Sequence, residues 1–296
     1  MRTVDVVVVS YNSGGRLRDA VLPLVGAPGV SIIVVDNGSV DDSLATVSDL
    51  DLLAVPLPEN GGFAYGCNAG WRLGDSRYVL FLNPDARLSS DALGRLVEVL
   101  EADPGIGAVG PRIEHPDGSL DLSLRRFPRI RSTYAQALFL HRLFPRASWS
   151  DEVVRDPDAY ERAGSPEWIS GACLLVRRDA LVHLDGLDEG FFMYSEDIDL
   201  CRRLRNDRYE IRYEPTALAV HEGGASAPRP GLLPVLAASR IRYAEKHDRR
   251  AWAALQRVGI TLGELTHMVV SSGGGAVRVG HAHAFRLAVF GSTTRT

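Results

Sequence analysis

The sequence predicts an α/β protein with a doubly wound, mostly parallel sheet and a helical C-terminal extension. Three observations lead there. Apolar runs of strand length alternate with helical stretches over the first 110 residues. Those runs are continuous and rich in β-branched residues, as in strands covered on both faces. Each ends in a polar or glycine-bearing loop, where open sheets of this kind bind ligands.

Composition sets the bounds. At 296 residues, 45% hydrophobic and 24% charged, the chain has room for one large α/β domain with an appendage. Three widely spaced cysteines, Cys67, Cys173 and Cys201, exclude a disulfide framework or a Cys-rich metal site and read as core residues of a reducing compartment. Neither a signal peptide nor an apolar run of membrane-spanning length is read, so the expected location is cytoplasmic, soluble or peripheral on the inner face of the plasma membrane. Net charge is −4, yet from Pro228 onward ten Arg or Lys face three Asp or Glu. An anionic partner is expected near that end, and nucleic acid is not among the expected partners.

Val4 to Val9 reads as a central strand, ending at Ser10-Tyr11-Asn12-Ser13-Gly14-Gly15. Small polar residues there let backbone amides face a ligand at the start of the helix from Arg16, although many βα loops look alike. Ile32 to Val35 is a second strand, ending in Asp36-Asn37-Gly38-Ser39, with Asp41 and Asp42 placed to cap the next helix. Asp36 is either a plain Asx turn or an acceptor for a base or ribose group. Leu52 to Val55 is a weaker strand. After it, Glu59 to Asn68 forms a glycine-rich entry to a helix that runs to about Leu73. The spacing fits neither a P-loop nor a dinucleotide fingerprint. Gly61 and Gly62 permit close backbone approach, flanked by the amides of Asn60 and Asn68.

The strand Tyr78 to Leu82 then delivers Asn83-Pro84-Asp85. Pro84 ends the ladder because it has no N–H, which leaves Asp85 where the sheet opens, as a turn residue or as a carboxylate facing a metal or polar ligand. Ser89 to Asp91 cap a helix to about Glu101, and Ile106 to Val109 is a further strand. From Ser123 to Trp149 six arginines and no acid are interleaved with large apolar residues, among them the helical stretch Tyr134 to Phe144. That pattern suits a helix on an anionic membrane surface or over a lipid headgroup, and equally a core-facing helix with a solvated basic rim.

Trp168 to Val176 reads as one buried strand in which Gly171 and Ala172 keep side chains small. Phe191 to Tyr194 form an aromatic wall before Ser195-Glu196-Asp197-Ile198-Asp199, with Ser195 as N-cap. Acids in a first helical turn are explained by the helix dipole, or by a general base held and partly desolvated beneath that wall. Ile211 to Glu214 and Ala217 to Val220 read as two short strands, the second delivering His221 to Glu222-Gly223-Gly224. Pro228 and Pro230 mark a linker; Leu232 to His247 and Ala251 to about Val270 are helical and basic, and the tail from Ser271 is unassigned. The domains expected are thus 1–227 and 228–296.

Taken in order, Val9 to Asn12, Asp36 to Ser39, Asn60 to Asn68, Asn83 to Asp85, Gly171-Ala172, Phe191 to Asp199 and His221 resemble the motifs of inverting GT-A glycosyltransferases of family 2, most closely the bacterial rhamnosyltransferase-like branch. The resemblance spans about residues 4 to 224 and implies the GT-A fold. It implies that Ser10, Tyr11, Asn12, Asp36, Asn60, Gly62, Asn68 and Asn83 bind the nucleotide. Asp85 and His221 would hold Mg²⁺ or Mn²⁺ on the two phosphates, with Asn83 in place of the first acid of the family's Asp-x-Asp motif. Asp197 would be the catalytic base, with Gly171, Ala172 and Glu196 positioning the acceptor.

Such chemistry needs a leaving diphosphate neutralised by a divalent ion and a carboxylate that takes the acceptor's proton from the opposite face. The donor implied is dTDP-L-rhamnose or a UDP-sugar. The acceptor implied is a glycan or polyprenyl-diphosphate-linked sugar, at a membrane surface, and a homodimer through the C-terminal helices is a further expectation. Two other classes fit the sequence less well. A sugar-1-phosphate nucleotidyltransferase needs a basic loop after the first strand, which Ser10 to Gly15 lacks. A non-catalytic nucleotide-sugar or lipid-headgroup module of the same fold would be expected to have lost Asp197.

Overall fold

The computed structural model describes residues 3–223, 230–270 and 274–291. The linker read at Pro228 lies outside the described residues. Strands β1 (Val4–Ser10), β2 (Val30–Asp36), β3 (Leu53–Pro56), β4 (Tyr78–Leu82), β5 (Ala86–Leu88) and β6 (Ile106–Glu114) come first. They are followed by β7 (Leu124–Arg125), β8 (Trp168–Ile169), β9 (Cys173–Arg177) and β10 (Glu210–His221). Eight of them form one sheet in the order β3-β2-β1-β4-β9-β6-β10-β5, and β7 pairs with β8 in a ribbon.

β1, β2, β3 and β4 are mutually parallel, as are β6 and β10. β9 runs antiparallel to both β4 and β6, and β5 antiparallel to β10. Every residue of β1 and β4 is buried, as their continuous apolar sequences require of strands covered on both faces.

The helices are α1 (Arg16–Val21), α2 (Phe63–Trp71), α3 (Ser90–Ala102), α4 (Ile130–Ala137), α5 (Leu140–Leu143), α6 (Arg178–His183), α7 (Glu196–Asn206), α8 (Leu233–His247), α9 (Arg250–Val270) and α10 (Gly274–Phe290). Ser89 caps α3 as expected, its hydroxyl accepting from the Ala92 amide at 3.1 Å.

Four local expectations are corrected. Asp41 caps only a 3₁₀ turn, Leu44–Val47, through Ser43, and not an α-helix. Trp168 to Val176 is two strands that belong to different sheets, because Ser170 to Ala172 turn out of the ladder between β8 and β9. Conversely, Ile211 to Val220 is one strand, its register shifting between Glu214 and Leu218, because a bulge absorbs the extra residues that read as a break. The apolar stretch from Tyr134 splits into α4 and α5 at Phe139, which takes φ +58°.

The chain divides into two units. The first holds residues up to Arg125, Pro157–Phe192 and Glu196–Gly223, and carries the large sheet with a core that includes Val6, Val8, Leu80, Leu82, Leu96 and Leu175. A buried ion pair pins its lower edge: Asp5 accepts from Arg178 at 2.5 Å and from Ser76. The three cysteines are buried thiols, as read from their spacing. The second unit holds Arg126–Asp156, Met193–Ser195 and the chain beyond Gly223, with α4, α5, α8, α9 and α10 around a core of Leu233, Ala237, Ile241, Ile260, Ala284 and Ala288.

Candidate active site

Asp85 and His221 are 136 residues apart in sequence and meet because β5 and β10 pair antiparallel, with Ala86 opposite His221. The Glu222 amide donates to the Asp85 carbonyl at 3.0 Å and locks the two strand ends together. Asp85 Oδ1 lies 3.2 Å from His221 Nε2, and Asp121 Oδ2 lies 3.4 Å from His221 Nδ1. Asp121 arrives by a tight excursion after β6, with Leu120 bridged to Glu114 and the Asp121 amide donating to the Ile113 carbonyl.

Burial alone would lower the histidine's pKa; the carboxylates of Asp121 and Asp85 outweigh it and push His221 up to about 9. Both acids are in turn held below the usual carboxylate range by His221, against the effect of their own burial. In the metal-free protein His221 is therefore an imidazolium between two carboxylates.

A divalent cation fits this cluster in one specific sense. Among the described residues no three His, Cys, Asp or Glu side chains stand ready as a complete metal cage. A divalent ion held together with a diphosphate would not need one, since Mg²⁺ usually takes only one or two protein carboxylates beside phosphate oxygens and water. Asp85 supplies the carboxylate. His221 Nε2 is buried and, despite its nearness to Asp85, makes no hydrogen bond of acceptable geometry among the described residues. It is an orphaned ligand atom beside the acid, while Asp121 orients the ring from its other nitrogen, as outer-shell carboxylates do for ligating histidines.

The second acidic centre is the start of α7. Asp197 Oδ2 accepts from the Gly171 amide at 2.9 Å and Oδ1 from the Ile198 amide at 2.8 Å. Burial raises its pKa, opposed by those two N–H groups. Glu196 is buried, and its Oε2 has no hydrogen-bond partner among the described residues. Its carboxyl is pushed well up, first by burial and then by the charge of Asp197. Of the adjacent pair, Glu196 is pushed the further toward its neutral form, and Asp197 is the one whose charge two backbone N–H groups support. Asp199, by contrast, is fully buried against Arg203 at 2.7 Å, an i,i+4 pair that also ties Arg203 to the carbonyls of Leu184 and Gly186. Ser195 takes φ +68°, outside the extended backbone of an N-cap residue.

The two centres adjoin. The Asn83 amide donates to the Ala172 carbonyl at 2.9 Å, and the next residue back, Gly171, donates to Asp197. The segment between β8 and β9 is therefore the physical link from the Asp85 turn to the α7 carboxylates. Gly171 is constrained there, since a Cβ would sit 3.1 Å from the Asp197 Cβ.

The loops at the ends of β1, β2 and β3 lie at the same edge of the sheet as the Asp85 turn. Ser10 lies opposite Asp36 in register, and its buried hydroxyl has no hydrogen-bond partner among the described residues. The amides after it are not presented to a ligand, contrary to expectation: those of Asn12, Ser13 and Gly14 donate to Ser39, Ser43 and Asp41. Tyr11 is half exposed. Asp36 takes both Ser39 donors, its amide at 3.1 Å and its hydroxyl at 2.5 Å, so the Asx-turn geometry is present.

Asn37, which sequence reading passed over, is buried and clamps the glycine loop. Its amide donates to Asn60 Oδ1 and to the Gly62 carbonyl and accepts from the Gly61 amide. Gly62 has φ +93°, and a Cβ there would collide with the Phe192 carbonyl oxygen, which accepts from the Phe63 amide. The aromatic run before α7 thus closes on the glycine loop.

Asn68 is corrected from a ligand contact to a pin. Both its donors go to the Leu187 carbonyl and Glu189, and its oxygen accepts from the Leu187 amide and Trp71, so no capacity remains for a base or sugar. The Asn83 side chain, in the turn before Asp85, is half-buried and makes no hydrogen bond among the described residues.

Arg125 completes the set. It pairs with Trp168 across β7 and β8, its guanidinium 5.9 Å from the indole centre, and its charge acts on both Asp121 and Asp197. Its Nε is buried without a hydrogen-bond partner among the described residues. In the sequence it was one of six arginines in a basic stretch, and only the β7–β8 ribbon distinguishes it. Asp121 gave no signal beyond being an acid after a Gly-Ser turn.

Comparison with known proteins agrees with this architecture. Residues 5–154 match the family described as Glycosyl transferase family 2. The chain is 31% identical over 289 residues to N-acetylglucosaminyl-diphospho-decaprenol L-rhamnosyltransferase of Mycobacterium tuberculosis, covering 91% of this chain and 93% of that protein. Rhamnosyltransferase WbbL of Escherichia coli K12 is 33% identical over 51% of this chain and 54% of its own. Among solved structures, the mannosyltransferase PcManGT from Pyrobaculum calidifontis, in complex with GDP-Man and Mn²⁺, superposes with a TM-score of 0.60. It is 17% identical and covers 98% of this chain and 88% of that one, a likeness of fold.

Proposed function

Because the chain belongs to glycosyl transferase family 2 and has the GT-A fold, we propose that it transfers a sugar, L-rhamnose from dTDP-L-rhamnose in the first instance, with inversion. The acceptor we assign is a hydroxyl of a polyprenyl-diphosphate-linked sugar or glycan in cell-envelope polysaccharide synthesis. Residues 1–227 form the donor-binding and catalytic domain in this reading, and 228–296 its basic helical extension.

One observation carries the proposal. The Asn83–Ala172 and Gly171–Asp197 hydrogen bonds place an acid–imidazole centre and a backbone-held carboxylate on adjoining segments. A transferase of this class needs those two functions side by side. A divalent ion, when bound, neutralises the diphosphate that leaves; Asp85 and His221 would hold it. Asp197 receives the proton of the attacking hydroxyl, and its burial raises its basicity above that of a free aspartate. The Gly171 and Ile198 amides fix the orientation of its carboxylate. Ser10, Asp36 and the Asn60–Gly62 loop, clamped by Asn37, form the nucleotide wall, with Tyr11, Asn12 and Asn83 at its margins. Asn68 supports this wall from behind. The 31% identity to a rhamnosyltransferase over nearly the whole chain supports the choice of sugar.

The test is Asp197→Asn, assayed with dTDP-L-rhamnose and a lipid-linked N-acetylglucosamine acceptor. Turnover should be lost while stabilisation by dTDP with Mn²⁺ in a thermal-shift assay is retained. Loss of both would mean that Asp197 is structural, and turnover retained would remove it as base.

A further inference from the structure

α9 packs its partners on two of its three sides. α4 covers the side of Gln256, Gly259 and Gly263: Thr133 donates to Gln256 at 2.6 Å, and a Cβ on Gly259 would press on Tyr134. α10 and α8 cover the side of Arg257, Ile260 and Glu264, through His281 on Glu264 at 2.7 Å, Arg257 on the Ala288 carbonyl at 2.8 Å and on Glu245 at 3.6 Å, and Ile260 in one core with Leu233, Ala237 and Ile241. The third side carries Leu255, Val258, Leu262, Leu265 and Val269, which helical periodicity aligns in one stripe about 21 Å long. Val258 is 58% and Val269 67% exposed, and Ala251 and Ala254 continue the stripe without a charge. Among the described residues nothing covers it.

The surroundings of the stripe are basic. α4 runs parallel to α9, with Thr133 beside Gln256 and Ala137 beside Thr266, so exposed Arg131 lies toward the end at which Arg249 and Arg250 enter α9. At the other end Phe139 stacks on His267 at 4.6 Å and begins the α5 segment. There Leu138, Leu143, Phe144 and Trp149 are exposed beside Arg142 and Arg146. None of these five arginines has an ion-pair partner among the described residues, and 126–149 contains no acid.

We infer that the α9 stripe and the α5 segment together lie in the interface of an anionic lipid leaflet. The apolar side chains enter the headgroup boundary, and the arginines at both ends meet lipid phosphates. Charge decides against a second copy of the chain as the occupant. A two-fold interface sets the same patch against itself, and here it would set unpaired arginines near their own copies with no acid to answer them. The helix lies on the leaflet and does not cross it, since among the described residues no helix is long and apolar enough to do so. The inference does not rest on the transferase reading, because it uses no residue of the donor or acceptor site.

The experiment is flotation of the full chain with vesicles of phosphatidylcholine alone and with added phosphatidylglycerol, without substrates. Wild type should bind the anionic vesicles at least tenfold more tightly, and added salt should weaken the binding. Val258→Glu/Leu265→Glu should abolish it, and Arg142→Gln/Arg146→Gln should weaken it by about fivefold per arginine. Circular dichroism and thermal midpoints like those of wild type verify that the variants fold. Equal binding to both vesicles, no binding by wild type, or unaltered binding by the stripe variant would overturn the inference. So would sedimentation without vesicles showing a wild-type dimer that Val258→Glu/Leu265→Glu converts to a monomer. Because no substrate is present, none of these outcomes bears on whether the chain transfers a sugar.

Discussion

Replacing His221 with Gln removes the one group that titrates between two carboxylates, and the size of the effect follows from its geometry. In the folded protein His221 titrates near 9, because Asp85 and Asp121 outweigh its burial; unfolded, it returns to about 6.5. The folded value is the higher, so the stabilisation is fully present below the unfolded pKa and is lost as pH rises through the folded one. A difference of about 2.5 units corresponds to about 3 kcal/mol at the acidic end of that window. The assay is urea unfolding in EDTA at intervals from pH 6 to pH 10, wild type against His221→Gln. The stability gap between the two proteins should narrow by about 3 kcal/mol from pH 6.5 to above pH 9. Most of the narrowing should fall above pH 7, where unfolded chains have released the proton and native ones keep it. A gap that stays constant across the range would refute the assignment of His221 as an imidazolium held by the two acids. Below pH 4 wild type should lose stability as Asp85 and Asp121, held low by His221 in the native state, finally take up protons, and His221→Gln, which lacks that cation, should not show this loss.

Asp5→Asn should cost about 3–5 kcal/mol in urea unfolding, because it leaves the part-buried Arg178 guanidinium without the buried carboxylate it faces; a loss under 1 kcal/mol would show that the pair is idle. Gly62→Ala should destabilise by about 1–3 kcal/mol and raise the donor KM more than it lowers kcat, because it forces a Cβ onto the Phe192 carbonyl at φ +93°; unchanged kinetics and stability would mean that the loop shifts freely. Glu196→Gln should change stability by less than about 1 kcal/mol and keep turnover, since burial and the Asp197 charge push the carboxyl it replaces toward its neutral form; a severe loss of turnover would mean that its charge is used.

The sequence was enough to predict the class of sheet and most of its strands, because a parallel strand buried on both faces must be continuously apolar, as β1, β2 and β4 are. It also singled out Asp85 and His221, each at the end of an apolar strand beside a turn-forming loop, and Asp197 after an aromatic run, as candidates, and the structure brings the first two within 3.2 Å of each other. It predicted neither the break between β8 and β9 nor the continuity of β10. A turn inside an apolar run and a bulge inside a strand leave the hydrophobic pattern almost unaltered.

What only tertiary structure decided is the use of each polar group. Asn68 and Asn60 read alike as amides flanking a glycine loop, yet one is saturated by Leu187, Glu189 and Trp71 while the other holds Gly62. Asp199 and Asp197 stand two residues apart on α7, and the helical twist turns one into Arg203 and the other toward Gly171. Asp121 and Arg125 acquired their places through a β-bridge and a two-residue ribbon, contacts too short to leave a period in the sequence. Local pattern records which face of an element is buried. Which acid meets which base is fixed by pairing across the sheet, at separations about which the chain's local order carries no information.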